Sequence, residues 1–362
     1  MDPRAPFTPP PLPPDLDWES KDLTKILLAA RTALGELNGF SFAVPNPMLL
    51  LTPSIIRESV ESSRIENINT TVELALRGWL FPEEERHQPD REVLRYRDAM
   101  LWGWKELERL PIGHRLICGI FEKLMPEMGG EYRRLPNAIQ NTQTGEILYT
   151  PPTADAVPSC MAEWEKFQNA PAGSIDPLIK VALLHYQFEA IHPFPDGNGR
   201  AGRILLLLGL IRDGFLRLPI LYLSAFINKN RSRYYELLSG VTQQGAWMEW
   251  VRFLLAGIVE QARSTTETLQ GIYELYQKQR DRIRALSGRI TALDMAEQIF
   301  LNPIQSPVNL GRALGVHYTT ATRYLKSLEG TGILEHMEIG KYQLYVHREL
   351  IEIVSGENMV KR

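Results

Sequence analysis

The chain has 362 residues, enough at roughly 150 residues per domain for two to three domains with sizeable cores of their own. Lys+Arg number 40 and Asp+Glu 43, a formal net charge of −3, which argues against a global polyanion binder and leaves only a local patch for that role. The two cysteines, Cys118 and Cys160, form no CxxC pair, so neither a zinc cluster nor a disulfide framework is expected, and a reducing, cytoplasmic setting fits. The longest apolar run, residues 204–211, falls far short of the ~20 residues of a spanning helix, and no apolar stretch at the N-terminus reads as a signal peptide.

Seven prolines lie within residues 1–14. Proline fixes φ and removes a backbone donor, so this arm is expected to be extended and packed on its own domain, the alternative being a tail for a proline-recognition domain. Ile26, Leu27, Ala30, Ala33 and Leu34 then recur at helical spacing between Asp22 and Leu37. A second helix is expected after Thr52, with Pro53 at its first position and Ile55, Ile56 and Val60 on one face, running into Ser62-Ser63-Arg64-Ile65-Glu66-Asn67. Helical patterns return over Glu92–Leu107 and His114–Met125. Between Ala138 and Pro152 the pattern changes: Asn141-Thr142-Gln143-Thr144-Gly145 is turn-rich and Glu146–Thr150 is strand-like, a small β-hairpin in helical surroundings.

Residues 177–191 and 201–211 read as two strongly apolar helices, each expected at the centre of a core. Between them lies His192-Pro193-Phe194-Pro195-Asp196-Gly197-Asn198-Gly199-Arg200, continuing Ala201-Gly202-Arg203. Gly197 and Gly199 allow close backbone approach, and their N–H groups precede a helix N-terminus, where the dipole and free donors favour an anion. Arg200 and Arg203 add planar cationic forks suited to phosphate. Asp196 is a hard oxygen ligand for Mg²⁺ held against phosphates, and His192 can act as a general base. Phe194 is expected to anchor the turn in the core. This is equipment for phosphoryl or nucleotidyl transfer, on a loop that is neither a Walker nor a Rossmann motif.

The segment His192–Arg200 resembles the signature of the Fic (Fido) family, HPFx[DE]GNGR, at every specified position, and Arg203 falls where that family has a second arginine. The resemblance implies a mainly α-helical enzyme that transfers AMP from ATP to a protein Ser, Thr or Tyr hydroxyl. His192 would be the general base and Asp196 the Mg²⁺ ligand. Gly197, Asn198, Gly199, Arg200, Ala201, Gly202 and Arg203 would bind ATP, with Tyr235 near the nucleotide; its alternative is a packing tyrosine. The hairpin, through Ile147, Leu148 and Tyr149, would be the flap that registers a target chain by strand addition. Ser62, Glu66 and Asn67 fit the family's inhibitory pattern [ST]xxxE[GN], in which Glu66 would pair with Arg203 and displace the ATP γ-phosphate.

After Trp247 and Trp250 a helix is expected to run to about residue 284, its polar later part serving as a linker. The remainder reads as helix, helix-turn-helix, then two strands, similar to a winged helix-turn-helix. Residues 286–362 hold eight Lys/Arg and eight Asp/Glu, so DNA binding and protein docking stay open for it. The expected organisation is an N-terminal helical region with the brake (1–90), a Fic core (91–265), a helical linker (266–286) and a winged-helix domain (287–362). Self-modification and a homodimer are further expectations, and no membrane contact is expected. Rival readings are removal of AMP, use of another nucleotide, and a DNA-binding regulator with a nucleotide-sensing core.

Overall fold

The computed structural model describes residues 2–140, 144–171, 173, 175–286 and 291–356. The helices are α1 (Lys21–Ala43), α2 (Met48–Ile65), α3 (Val72–Gly78), α4 (Gln88–Glu106), α5 (His114–Leu124), α6 (Val157–Asn169), α7 (Pro177–Ile191), α8 (Asn198–Arg212), α9 (Leu223–Lys229), α10 (Arg231–Gln244), α11 (Trp247–Leu286), α12 (Thr291–Leu301), α13 (Pro307–Leu314), α14 (Tyr318–Gly330) and α15 (Arg348–Ser355). The strands are β1 (Ile139–Gln140), β2 (Ile147–Tyr149), β3 (Ile304–Gln305), β4 (Glu335–Ile339) and β5 (Tyr342–Val346). Among the described residues no helix is long and apolar enough to cross a membrane.

The antiparallel pair α7 and α8 forms the centre, buried on nearly every side as their apolar composition requires. Pro177 opens α7 behind the N-cap Asp176, whose Oδ1 accepts from the N–H of Leu178 at 2.9 Å. Around this pair pack α4, α5, α6 and α11, while α2 lies against α4, α8 and α9. The hairpin is present: β1 pairs antiparallel with β2, Ile139 opposite Tyr149, and residues 141–143 of its expected turn Asn141–Gly145 lie outside the described residues.

Three expectations change. Helix α2 begins at Met48, so Pro53 sits inside it rather than at its start. Leu49, Leu50 and Leu51 are buried, and covering them repays the single hydrogen bond that an interior proline forfeits. Helix α8 begins at Asn198, inside the expected loop, which shortens the turn and places Gly197 at the N-cap. The polar later part of α11 is not a bare connection: Leu269, Ile272, Leu275, Tyr276 and Ile283 are buried along it, against α1, α12 and α15.

The last part runs α12, β3, α13, α14, β4, β5, α15, with a three-stranded antiparallel sheet in the order β3-β5-β4. Gly315 closes α13 at φ 65°, the left-handed conformation that opens the turn into α14. This part also packs on the N-terminal half of the chain. α12 and α15 contact α2, Arg348 pairs with Glu73 at 2.5 Å, and Tyr342 packs its ring on Phe81 while its hydroxyl donates to Glu85 at 2.7 Å.

Candidate active site

His192 is the C-cap of α7 and takes a left-handed conformation (φ 52°, ψ 60°), which turns the chain sharply out of the helix. Its Nδ1 faces the carbonyl of Glu189 at 3.4 Å, a contact that only a protonated Nδ1 can make. The neutral ring then keeps its lone pair on Nε2. Burial pushes the imidazole down to about 4, so the ring is neutral at pH 7 and ready to accept a proton.

The turn is braced from within. Asn198 Oδ1 accepts from the N–H of Phe194 and its Nδ2 donates to the carbonyl of Phe194, both at 2.8 Å. The ring of Phe194 is buried and stacked on Phe121 at 3.8 Å. At the exposed tip Asp196 Oδ1 accepts from the N–H of Gly197 at 2.6 Å. Gly197 sits at φ 70°, and a Cβ there would crowd Met125 at 3.2 Å. The N–H groups of Asn198, Gly199 and Arg200 form the first turn of α8 and have no partner within the helix, so three donors and the positive end of the dipole converge at this point.

Among the described residues no three His, Cys, Asp or Glu side chains gather into a metal site. A cation at Asp196 would therefore be completed by phosphate oxygens and water, a coordination that Mg²⁺ accepts and a structural zinc does not.

Arg203, one turn into α8, is buried but not free. Its Nε donates to Ser62 Oγ at 2.8 Å, and its Nη2 donates to the Ser62 carbonyl at 3.0 Å and to Glu66 Oε1 at 2.7 Å. The last turn of α2 thus grips the guanidinium. Burial opposes its charge, but Glu66, Tyr234 and Glu189 more than offset that and hold its pKa above the usual range. Asn67 follows at φ 62° and accepts from Arg231 Nη1 at 2.9 Å through Oδ1, so all three residues of the inhibitory pattern carry a contact. A Cβ on Gly199 would sit 2.5 Å from Glu66 Oε1 and 2.9 Å from Arg203 Nη1, so a larger residue here would push directly on the Glu66–Arg203 pair.

The other residues expected near the nucleotide make contacts of their own within the fold. Arg200 is buried and donates to Glu92 Oε2 at 3.1 Å and to Met125 Sδ at 3.2 Å, so its fork ties α8 to α4 instead of reaching out of the turn. Ala201 donates its N–H to the Gly197 carbonyl at 3.0 Å, which removes it as an anion donor. Gly202 is buried where a Cβ would collide with Glu189 and Phe188, so its role here is close packing. Tyr235 is 43% exposed beside its buried neighbour Tyr234, with the Arg231 guanidinium 6.0 Å from its ring.

On the hairpin, Leu148 points outward and is 52% exposed, whereas Tyr149 turns inward and donates to the Ala190 carbonyl at 2.6 Å. The hairpin is therefore anchored two residues from His192, with Ile147 half-buried beside the anchor.

Four residues of the site escaped sequence reasoning. Arg133 donates to the carbonyls of His192 at 2.8 Å and Pro152 at 2.5 Å, and its own N–H donates to the Pro193 carbonyl at 2.8 Å. It ties the turn, the end of α7 and the segment after the hairpin into one unit. Glu58 is buried between Tyr96 and Ser224, and Glu189, its side chain 12% exposed, packs beside Gly202; desolvation pushes both carboxyls up to about 7. Gln187 is buried on α7 and donates to the carbonyl of Pro10 at 3.0 Å. None stands in a local motif; Arg133, Glu58 and Gln187 meet partners across the fold, while Glu189 lies 4.0 Å from His185 on its own helix.

Residues 111–210 match the Fic/DOC family, residues 24–105 the Fic/DOC family N-terminal region, and residues 275–350 the C-terminal domain described as "Protein adenylyltransferase SoFic-like". Among curated proteins, the chain is 32% identical over 142 residues to one from Drosophila grimshawi named "Protein adenylyltransferase Fic", covering 39% of this chain and 26% of that one. It is 33% identical over 142 residues to the protein of the same name from Culex quinquefasciatus, covering 39% and 25%. The chain thus matches about a quarter of the length of these relatives. Among solved structures, it is similar to a Fic family protein from Desulfovibrio desulfuricans G20, with TM-score 0.59 and 20% identity over 90% of this chain and 96% of that one. A Fic-1 fragment from C. elegans gives TM-score 0.53 and 19% identity over 70% and 74%. At these identities the structures speak for the fold.

Proposed function

The chain belongs to the Fic/DOC family, and from that premise we propose that it is a protein adenylyltransferase, moving AMP from ATP to a Ser, Thr or Tyr hydroxyl of a target protein or of itself. The observation that carries this reading is the complete turn from His192 to Arg200, capped on α8 with three N–H groups converging beside a neutral imidazole.

In this reading Nε2 of His192 takes the proton of the target hydroxyl as its oxygen bonds to the α-phosphorus. The bond from that phosphorus to the bridging oxygen of the β-phosphate breaks, and pyrophosphate leaves. The N–H groups of Asn198, Gly199 and Arg200 neutralise phosphate oxygens, and Asp196 is the residue that would hold Mg²⁺, whose charge would stabilise the leaving pyrophosphate. The edge of the hairpin, anchored by Tyr149, registers the target chain through main-chain bonds. Glu66 keeps Arg203 from the γ-phosphate and puts a carboxylate where the triphosphate would lie. Self-modification belongs to the same chemistry. Two unpaired thiols, Cys118 and Cys160, suit the reducing cytoplasm.

For the C-terminal part, the helix-strand-helix-helix-strand-strand order supports a winged helix-turn-helix reading. Lys341 at the wing turn is 2.9 Å from Glu85, which favours a role against the protein's own N-terminal half over DNA binding.

The test is intact-mass spectrometry after incubation with ATP and Mg²⁺, comparing the wild type, Glu66→Gly, and Glu66→Gly with His192→Ala. An AMP adduct on the chain or on an added proteome fraction, strongest in Glu66→Gly and absent with His192→Ala, is expected. A folded, ATP-binding Glu66→Gly protein that modifies nothing, beside a wild type that removes AMP from a pre-modified substrate with Glu66 positioning the water, would replace transfer by the reverse reaction.

A further inference from the structure

The proline-rich arm lies across the hairpin and the end of α7. The N–H of Phe7 donates to the carbonyl of Thr150, the residue after β2, at 3.0 Å. The Thr150 hydroxyl donates to the carbonyl of Pro3 at 2.7 Å, and Gln187 Nε2 donates to the carbonyl of Pro10 at 3.0 Å. The ring of Phe7 meets Tyr149 edge-on at 5.7 Å and packs against the core. Tyr149 is the residue that fixes the hairpin to α7 two positions before His192.

These contacts match a polyproline-like strand. Between residues 6 and 11 only Phe7 and Thr8 have a backbone N–H, so such a strand presents carbonyls and few donors. The surface beneath answers with donors, the Thr150 hydroxyl and the buried Gln187 amide, and with one ring for an aromatic anchor. Burying Gln187 under the arm would cost stability without the bond to Pro10.

We infer that the surface formed by Tyr149, Thr150 and Gln187 is a docking groove for an extended, proline-containing segment with an aromatic anchor, held in cis by residues 3–10. This rests on the transferase reading and narrows it: a target protein would present such a segment and displace the arm, so access to the hairpin is controlled separately from the Glu66 brake.

The test is a labelled peptide of residues 2–14 added to the full chain without ATP, read by fluorescence anisotropy. The tethered arm acts at an effective concentration in the millimolar range and competes with the peptide in the wild type, so that only excess peptide displaces it. Phe7→Ala in the chain frees the groove, and the peptide is expected to bind that variant roughly tenfold or more tightly than the wild type. Phe7→Tyr keeps the ring and is expected to behave as the wild type. Equal affinity for wild type and Phe7→Ala, or no binding to either, overturns the groove. Hydrogen exchange on the unmodified chain covers a Phe7→Ala protein that fails to fold: the Phe7 amide is expected to be protected and to lose protection on adding excess peptide. A Phe7 amide as fast as a free peptide's overturns the inference equally. Neither readout uses nucleotide, so a chain that binds the peptide but transfers no AMP would sink the transferase reading alone.

Discussion

Glu66 Oε1 and Arg203 Nη2 lie 2.7 Å apart, joining the last turn of α2 to the first turns of α8, with the arginine buried and the glutamate side chain 34% exposed. The asymmetry matters. A buried guanidinium that loses its carboxylate must find another anion, and the triphosphate of a nucleotide is one. An exposed carboxylate can swing into water at small cost. In the proposed brake the glutamate is therefore the member expected to leave.

Ser62 makes the grip directional, since its hydroxyl takes Arg203 Nε while its carbonyl and Glu66 share Nη2. Ser62→Ala removes one charge-assisted bond of about 1.5–3 kcal/mol and leaves Glu66 in place. We expect AMP incorporation between those of the wild type and Glu66→Gly, with Glu66→Gly raising it at least roughly tenfold, the smallest gain that removing about 1.4 kcal/mol of inhibition would give. Initial rates measured with labelled ATP check the ranking. A Ser62→Ala rate at the wild-type level would assign Ser62 to packing.

Asn198 is expected to matter through the loop rather than through nucleotide. Asn198→Ala leaves the N–H and carbonyl of Phe194 buried without their partners, at about 1–3 kcal/mol each. The melting temperature should fall by several degrees, and transfer should fall with it even at saturating ATP. Asn198→Asp keeps the acceptor for the Phe194 N–H but loses the donor, and should fall between the two. Differential scanning fluorimetry beside a transfer assay separates this outcome from a simple loss of ATP affinity.

The contrast between Asn198 and Arg133 shows what the chain discloses in advance. The turn is legible because its chemistry is contiguous: base, metal ligand, donors and arginines fall within twelve residues, and two apolar helices frame them. The contact that the proposed brake rests on is legible because a helix turn fixes the Ser62 to Glu66 spacing, although the partner of Glu66 lies 137 residues away. Arg133 carries no comparable signal. The partners of its side chain are backbone carbonyls, which any residue supplies, at sequence separations up to 59. Glu58 and Glu189 read as ordinary helix carboxylates until burial surrounds them. The start of α2 is not legible because Pro53 looks like a first-turn residue locally, while the burial of Leu49–Leu51 is decided by the whole fold.

Arg133 should not be replaceable by lysine. Its planar fork reaches several carbonyls at once, and an ammonium on a flexible stem cannot reproduce that geometry. Arg133→Lys is expected to lower kcat more than it raises KM for ATP, because it loosens the position of His192 without touching the donors at the start of α8. A change confined to KM would show that Arg133 acts on nucleotide binding instead.

His347 sets an acid limit on the join between α11 and the C-terminal part. It is fully buried; its Nε2 is 2.7 Å from Gln279 Oε1 and its Nδ1 accepts from the N–H of Leu350 at 3.2 Å. Both nitrogens are committed in the neutral form, and a proton on Nδ1 would cancel the helix cap. Burial pushes the pKa down to about 4 from an ordinary 6.5. The unfolded chain therefore binds the proton first as pH falls, so the stability that the neutral ring confers is present above pH 6.5 and is lost as pH drops towards 4. His192 and His185, pushed down to about 4 and about 3, act in the same sense. Glu58 and Glu189, raised to about 7, act in the opposite one: their contribution is present below pH 4.5 and is lost as pH rises through 7. Substitution isolates the His347 contribution. His347→Asn keeps a capping acceptor but cannot titrate, so the loss of stability between pH 6.5 and 4 should shrink by up to about 3 kcal/mol relative to the wild type. Urea midpoints measured across that range check it, and parallel curves for the two proteins would show that His347 is protonated alike in the folded and unfolded chains.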